Sequence, residues 1–308
     1  MKMVELYNSY YPFRDYCCIN KDEKPIPKEI KTNLYIRVNN ICNGKCKFCL
    51  NCNNKTTNNL NIEKLKEVYK YLLDKNMIEL VTITGGEPML NPKYINDIIN
   101  TLVEINKDVE ISISTNGTNL DKVLEFDNIN NIKYIHVSRH HYKDEINDKI
   151  FGFKTISTDK IKEIQEKTRV IIINTVGIKN YIDNKEDLLK MCEYTRKLDV
   201  NRLHYVSLIN YNNYCKENYV DINNIFKELE EEKEIKRLYD LYRENYCECH
   251  YFELKDIPNK DFIIMGRLTH HNTCPYVEQL VYTNNNELIT GFDSKTVINK
   301  NNEVILWK

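Results

Sequence analysis

Between residues 33 and 208 the sequence alternates short apolar runs with amphipathic stretches, and this alternation restricts the fold more than any other feature. The apolar runs fall at 34–38, 79–84, 109–114, 134–137, 170–174 and 203–208. Strands buried on both faces read as such continuous runs, because neither face meets water. The stretches between them repeat at helical spacing. In 61–73 the apolar positions are Ile62, Leu65, Val68 and Leu72, which share one helix face. Helices are expected at 61–73, 95–105, 119–126, 158–166 and 185–197. Six strands joined by helices predict an α/β fold with a parallel sheet. Right-handed crossovers then gather the loops after the strands along one edge. Ligands of such folds bind there.

The flanks differ in character. Residues 1–30 hold several Pro and Tyr and no repeat, and form an N-terminal segment ahead of a core at 31–210. Residues 211–308 form a C-terminal α+β extension. Within it, 222–244 is charged and expected to be helical. Runs at 280–283 and 287–290, joined by Asn284, Asn285 and Asn286, predict a hairpin, since Asn tolerates the positive φ of tight turns. The Asn-, Lys- and Thr-rich stretch 51–59 reads as a flexible loop.

With 308 residues, 42% of them hydrophobic, the chain can bury a sizeable core. A net charge of -1 gives no general attraction to nucleic acid or to an anionic membrane. No apolar run is long enough to span a bilayer. The N-terminus lacks a signal-peptide apolar region, so a cytoplasmic location is expected. In a reducing compartment, eleven cysteines suggest metal or redox work rather than disulfides. Cys17, Cys18, Cys192 and Cys215 are expected to be ordinary thiols.

Cys42, Cys46 and Cys49 follow the first apolar run in a C-x3-C-x2-C spacing. A fully ligated iron–sulfur cluster takes four thiolates. A structural zinc takes four ligands, usually as two close pairs. Three close thiolates instead suit a four-iron cluster that leaves one iron open. Three further motifs sit at strand ends. Thr84, Gly85, Gly86, Glu87 and Pro88 combine glycines that permit close backbone approach with a carboxylate able to accept from an ammonium. Ser114, Thr115, Asn116 and Gly117 end the third strand. Ser138, Arg139, His140 and His141 end the fourth.

This cysteine spacing, with the aromatic Phe48 before the last cysteine, resembles the signature of the radical S-adenosylmethionine (SAM) enzymes. The resemblance covers about residues 30–210 and implies an open partial (β/α)6 barrel. In the family, a [4Fe–4S] cluster on the three cysteines binds SAM through its open iron. Reductive cleavage gives a 5′-deoxyadenosyl radical that takes hydrogen from the substrate. By resemblance, Cys42, Cys46 and Cys49 carry the reaction. Gly85, Gly86 and Glu87 contact the SAM amino group; Ser114, Thr115 or Asn116 its carboxylate or ribose; Ser138 the ribose. Asn174 and Val176, after the fifth strand, lie near the adenine. Arg139, a departure from the family's small or acidic run, would hold a carboxylate as a fork. His140 and His141 either face substrate, relay a proton or cap a loop. His204 and Tyr205 either face the barrel interior or pack.

Some branches of the family carry a second iron–sulfur cluster in a C-terminal extension. Cys247, Cys249 and Cys274 are candidates, with His250, His270 or His271 assisting; zinc or free thiols are the alternatives. The oxygen-sensitive chemistry needs an electron donor such as flavodoxin or ferredoxin. The substrate is expected to be a small molecule (a nucleotide, sugar or other metabolite), with a ribosomal peptide natural product as the alternative. A non-catalytic zinc or iron–sulfur module is the distant rival.

Overall fold

The computed structural model describes residues 2–13, 16–19, 25–27, 29–50, 58–233, 235–243, 247–254, 262–269, 276–292 and 294–299. Most of the stretch 51–59 therefore lies outside the described residues, as do His270, His271 and Cys274. Strands β1 (Lys2–Leu6) and β2 (Ser9–Phe13) form a hairpin through Tyr7 and Asn8, which both adopt positive φ, 47° and 64°. Strands β3 (Tyr16–Ile19) and β4 (Pro25–Pro27) follow. Then come β5 (Thr32–Arg37), α1 (Ile62–Asp74), β6 (Ile78–Thr84), α2 (Pro92–Ile105), β7 (Ile111–Thr115) and β8 (Ile132–Ser138). Next are α3 (Asp144–Phe151), α4 (Thr158–Thr168), β9 (Ile171–Gly177), α5 (Lys185–Lys197) and β10 (Arg202–Ser207).

All six expected core strands are present, and β5 to β10 pair in parallel in chain order. Leu34, Ile36, Val81, Ile83, Ile135, Val137, Ile171 and Ile173 are buried in the core they share with the helices. Asparagine caps the N-termini of α1, α2 and α5: Asn61, Asn91 and Asn184 each accept from a backbone N–H within the first turn. The side-chain oxygen takes up a donor that the first helical turn leaves without a partner.

Three local expectations change. The segment 119–126 is a 3-10 helix, Leu120–Glu125, entered through Asn119 in the left-handed region. Helix α3 lies in a stretch to which no element had been assigned. The charged segment 222–244 splits into helix α7 (Ile222–Leu229) and strand β11 (Ile235–Arg243), after a short α6 (Asn213–Glu217). In α7, Ile222, Ile225, Phe226 and Leu229 form one buried face. Beyond it the chain finds a long antiparallel partner, β12 (Cys247–Leu254), and pairing overrides helical preference.

The extension flanks the core on both edges. Strand β13 (Phe262–Thr269) runs parallel to β10, and β14 (Gln279–Tyr282) runs parallel to β5. The expected hairpin is formed by β14 and β15 (Leu288–Ile289), with Asn286 at φ 62° in its turn. Among the described residues the larger sheet has thirteen strands in the order β15-β14-β5-β6-β7-β8-β9-β10-β13-β12-β11-β3-β4. Among the described residues no helix is long and apolar enough to cross a membrane.

Helix α7 fastens the extension to the core edge. Phe226 packs against Phe252 and Tyr205, at 5.4 and 6.1 Å between ring centroids. The ring can lie against β13 because position 266 is Gly; a Cβ there would stand 2.0 Å from the ring. Phe226→Ala is therefore expected to cost about 3–5 kcal/mol, read as a lower urea midpoint with little change in slope.

Candidate active site

The three cysteines lie on the loop after β5, and backbone contacts clamp that loop along its length. Val38 N–H donates to Thr84 O at 2.9 Å, Gly86 N–H to Asn39 O at 2.9 Å, and Glu87 N–H to Ile41 O at 2.7 Å. Lys45 N–H donates to Phe151 O at the end of α3, at 2.7 Å. Toward the last cysteine, Asn212 Nδ2 donates to Lys47 O at 3.0 Å, and the Tyr211 hydroxyl donates to Cys49 O. Gly86 is the tightest point. A Cβ there would stand 2.1 Å from Ile41 O and 2.5 Å from its carbonyl carbon. Both atoms are backbone, so neither can swing aside.

Asn116, buried at the end of β7, reaches the first cysteine. Its Nδ2 lies 3.7 Å from Cys42 Sγ and donates to Asn43 Oδ1 at 2.9 Å. Its Oδ1 accepts from the Thr118 N–H and hydroxyl at 3.0 and 2.7 Å. Gly44 N–H also points to Cys42 Sγ, at 3.2 Å. Burial pushes the Cys42 thiol up, and it pushes Cys46 up to about 12, helped by the neighbouring Cys49 and Cys42. A metal centre here would displace those protons.

The residues fit an iron–sulfur cluster. Three thiols share one loop, two N–H groups already face one sulfur, and Gly44 leaves room between sulfurs. A Cβ at position 44 would stand 3.3 Å from Cys42 Sγ and 3.7 Å from Cys46 Sγ. Among the described residues no three His, Cys, Asp or Glu side chains converge as ligands of a single metal ion.

Glu87 is 1% exposed. Its Oε1 accepts from Met89 N–H at 2.9 Å and from the Thr115 hydroxyl at 2.6 Å, and its Oε2 accepts from Asn116 N–H at 2.6 Å. The carboxylate therefore ties the ends of β6 and β7 together. Burial raises its pKa to about 7 against the pull of those donors. Gly85 and Ser114 lie half-buried at the same strand ends. Phe48 and Val176, chosen separately in sequence, pack on one small apolar cluster built on Ile178, Leu208 and Cys215. Cys192 and Cys215 are buried thiols.

Ser138 and Asn174 are register partners on β8 and β9. Arg139 departs from expectation. It does form a fork, but the fork serves the protein: Nη2 donates to Asp144, Nη1 to Ile156 O at 3.3 Å and Nε to His141 O at 3.0 Å. At 1% exposure its guanidinium braces the start of α3 and faces no ligand space. His141 caps the loop, its Nδ1 accepting from Lys143 N–H at 3.0 Å. His140 is sandwiched between Phe48 and Phe151, at 5.1 and 5.0 Å. Burial, with Arg139 nearby, lowers its pKa to about 3.

Sequence reasoning passed over His136. The signal was its place two residues before Ser138, on the same strand face. His136 and His204 meet at 5.4 Å between ring centroids, which places His204 on the interior face. Tyr205 packs on the other face, beneath α7. In the extension, Cys249 pairs with Arg267 and His250 with Gly266. Adjacent strand residues face opposite ways. His250 accordingly packs on Phe226 at 5.2 Å, away from the Cys249 thiol.

Comparison with known proteins follows this geometry closely in extent. The family model described as the Radical SAM superfamily matches residues 36–195. GTP 3′,8-cyclase of Helicobacter pylori (strain ATCC 700392 / 26695) is 29% identical over 184 residues, covering 57% of this chain and 56% of that protein. The chain thus spans about half the length of this curated relative. SuiB of Streptococcus suis bound to S-adenosylmethionine superposes with a TM-score of 0.58 at 13% identity, covering 87% of this chain and 63% of that one. SuiB bound to the precursor peptide SuiA gives 0.53 at 17% identity, covering 65% and 46%. At these identities the likeness is one of fold.

Two outcomes are expected. Gly86→Ala should push the 39–41 backbone off β6, and the variant should take up less iron than wild type on anaerobic reconstitution. Glu87 binds its proton more tightly folded than unfolded, so its contribution to stability declines as pH rises from about 4.5 to about 7. Glu87→Gln should flatten that part of the stability–pH curve, measured by denaturant unfolding.

Proposed function

The chain belongs to the radical SAM superfamily, whose members bind a [4Fe–4S] cluster and SAM, and from that premise we propose that it is an enzyme acting on a small molecule. Cys42, Cys46 and Cys49 would hold the cluster. When bound, the pair supplies reductive cleavage of SAM to a 5′-deoxyadenosyl radical that abstracts hydrogen. One observation carries the reading: a three-thiol loop is locked by backbone hydrogen bonds to the glycine motif of the next parallel strand.

The protein's own part is to bind, orient and exclude water. Gly85, Gly86, Glu87, Ser114, Thr115 and Asn116 form a polar wall beside the thiols, suited to the amino and carboxylate groups of SAM. Phe48 and Val176 offer an apolar surface for the adenine, and Ser138 and Asn174 face the interior below it. The basic cavity beside the loop, lined by Lys45, Lys47, Lys149 and Lys179, suits an acidic electron donor such as flavodoxin or ferredoxin. Such chemistry is oxygen-sensitive and belongs in a reducing cytoplasm. Cys247, Cys249 and Cys274 are candidates for a second cluster in an extension at 211–308. The small-molecule substrate draws support from similarity to a nucleotide cyclase; a peptide substrate has only fold likeness behind it.

Anaerobic reconstitution with iron and sulfide should give a brown protein that converts SAM to 5′-deoxyadenosine with dithionite. Cys46→Ala should lose that turnover; a variant that kept it, or a wild type that took up zinc alone, would refute the assignment. Iron near about four per chain means one cluster, and near about eight means two.

A further inference from the structure

Among the described residues the barrel interior carries positive charge that no acidic side chain pairs. Neighbouring strands lie about 4.8 Å apart, so β8 and β10, with β9 between them, are about 9.6 Å apart. Yet His136 on β8 and His204 on β10 approach to 5.4 Å between ring centroids. The Arg202 guanidinium on β10 likewise lies 5.8 Å from the Tyr134 ring centroid on β8. Side chains two strands apart meet only where the sheet is concave, so this face lines the interior. Asn174 lies between the imidazoles, its Oδ1 3.4 Å from His136 Nδ1. Arg267 on β13 pairs with Val206, two residues nearer the cysteine end than His204 and four nearer than Arg202.

Among the described residues no carboxylate offsets these groups. The charges that act on His204 are His136, Arg202 and Arg267, and on His136 Arg202; each disfavours protonation. Burial leads in lowering both imidazoles, His204 to about 3. Among the described residues, neither Arg202 nor Arg267 has an acidic partner. Half-buried Arg202 and exposed Arg267 present guanidinium donors on this face, and guanidinium geometry matches phosphate and carboxylate oxygens.

We propose that this concave face of β8, β9, β10 and β13 binds oxyanion groups of the substrate strung along Arg202, His204 and Arg267, so that the substrate is a small anionic molecule carrying phosphate or carboxylate. The proposal rests on the radical SAM reading for the position of the reacting end. Arg202 opens β10, five residues from its end at Ser207, about 16 Å along the strand. The cysteine loop lies at the opposite ends of the strands. An anion held deep would leave the rest of a nucleotide-sized molecule extending toward the thiols.

Isothermal titration of anaerobically reconstituted protein with inorganic phosphate, pyrophosphate and malonate tests this. One of these anions should bind wild type, and Arg202→Gln should weaken it roughly tenfold or more. Tighter pyrophosphate assigns a phosphorylated substrate, and tighter malonate a carboxylate. Arg267→Gln, at an exposed position, serves if Arg202→Gln does not fold. Absence of binding to wild type, or equal binding to wild type and both variants, overturns the proposal. Dithionite-driven SAM cleavage by wild type is read separately: its absence refutes the radical SAM reading and leaves the anion site standing.

Discussion

A contact between two backbones organises the upper edge of this sheet. Gly86 presses on the carbonyls of Asn40 and Ile41 so closely that a single methyl group would overlap them. The N–H groups of Gly86 and Glu87 are used to hold Asn39 and Ile41. A loop with three thiols would otherwise be free to move, and a cluster needs its ligands preset. The glycine motif supplies this by being thin and by donating, which no larger residue can do at that distance. Glu87 then carries the restraint to β7 through Thr115 and Asn116. Asn116 returns it to Cys42. Loop, motif and strand end form one closed set of hydrogen bonds.

Curvature shapes the lower part of the interior. Outward-facing apolar residues of β5 to β10 are covered by helices, while the inward face of β8 to β10 mixes the polar His136, Ser138, Asn174, Arg202 and His204 with the apolar Ile172, Val176 and Val206. Bending brings residues from alternate strands together, as His136 and His204 show. The extension adds β13 to one edge and β14 to the other, so its strands widen the same sheet. Phe226 lying on Gly266 is what seats α7 over that edge.

Much of this was legible in sequence, and the reason is local. Core strands are continuous apolar runs because they are buried on both sides, and the helices between them repeat at their own period. Cys42, Cys46 and Cys49 sit within eight residues, so their nearness needs no fold to establish it. The hairpin at β14 and β15 was announced by asparagines that accept positive φ. Where expectation failed, a partner distant in sequence had decided. Residues 235–243 carry enough charge and leucine to suggest helix, yet they pair with β12. Arg139 looked like a ligand fork until Asp144 and α3 came to lie beside it.

The sequence by itself determined the alternating elements, the thiol spacing and the polar residues that end each strand, since each depends on neighbours a few positions away. Only the tertiary structure decided which of those residues face the interior, that Arg139 and His250 turn away from it, and that His136, His204, Arg202 and Arg267 share one face with no acidic partner among the described residues. Side-chain direction follows from strand register and sheet curvature, and both are set by pairing between segments far apart along the chain.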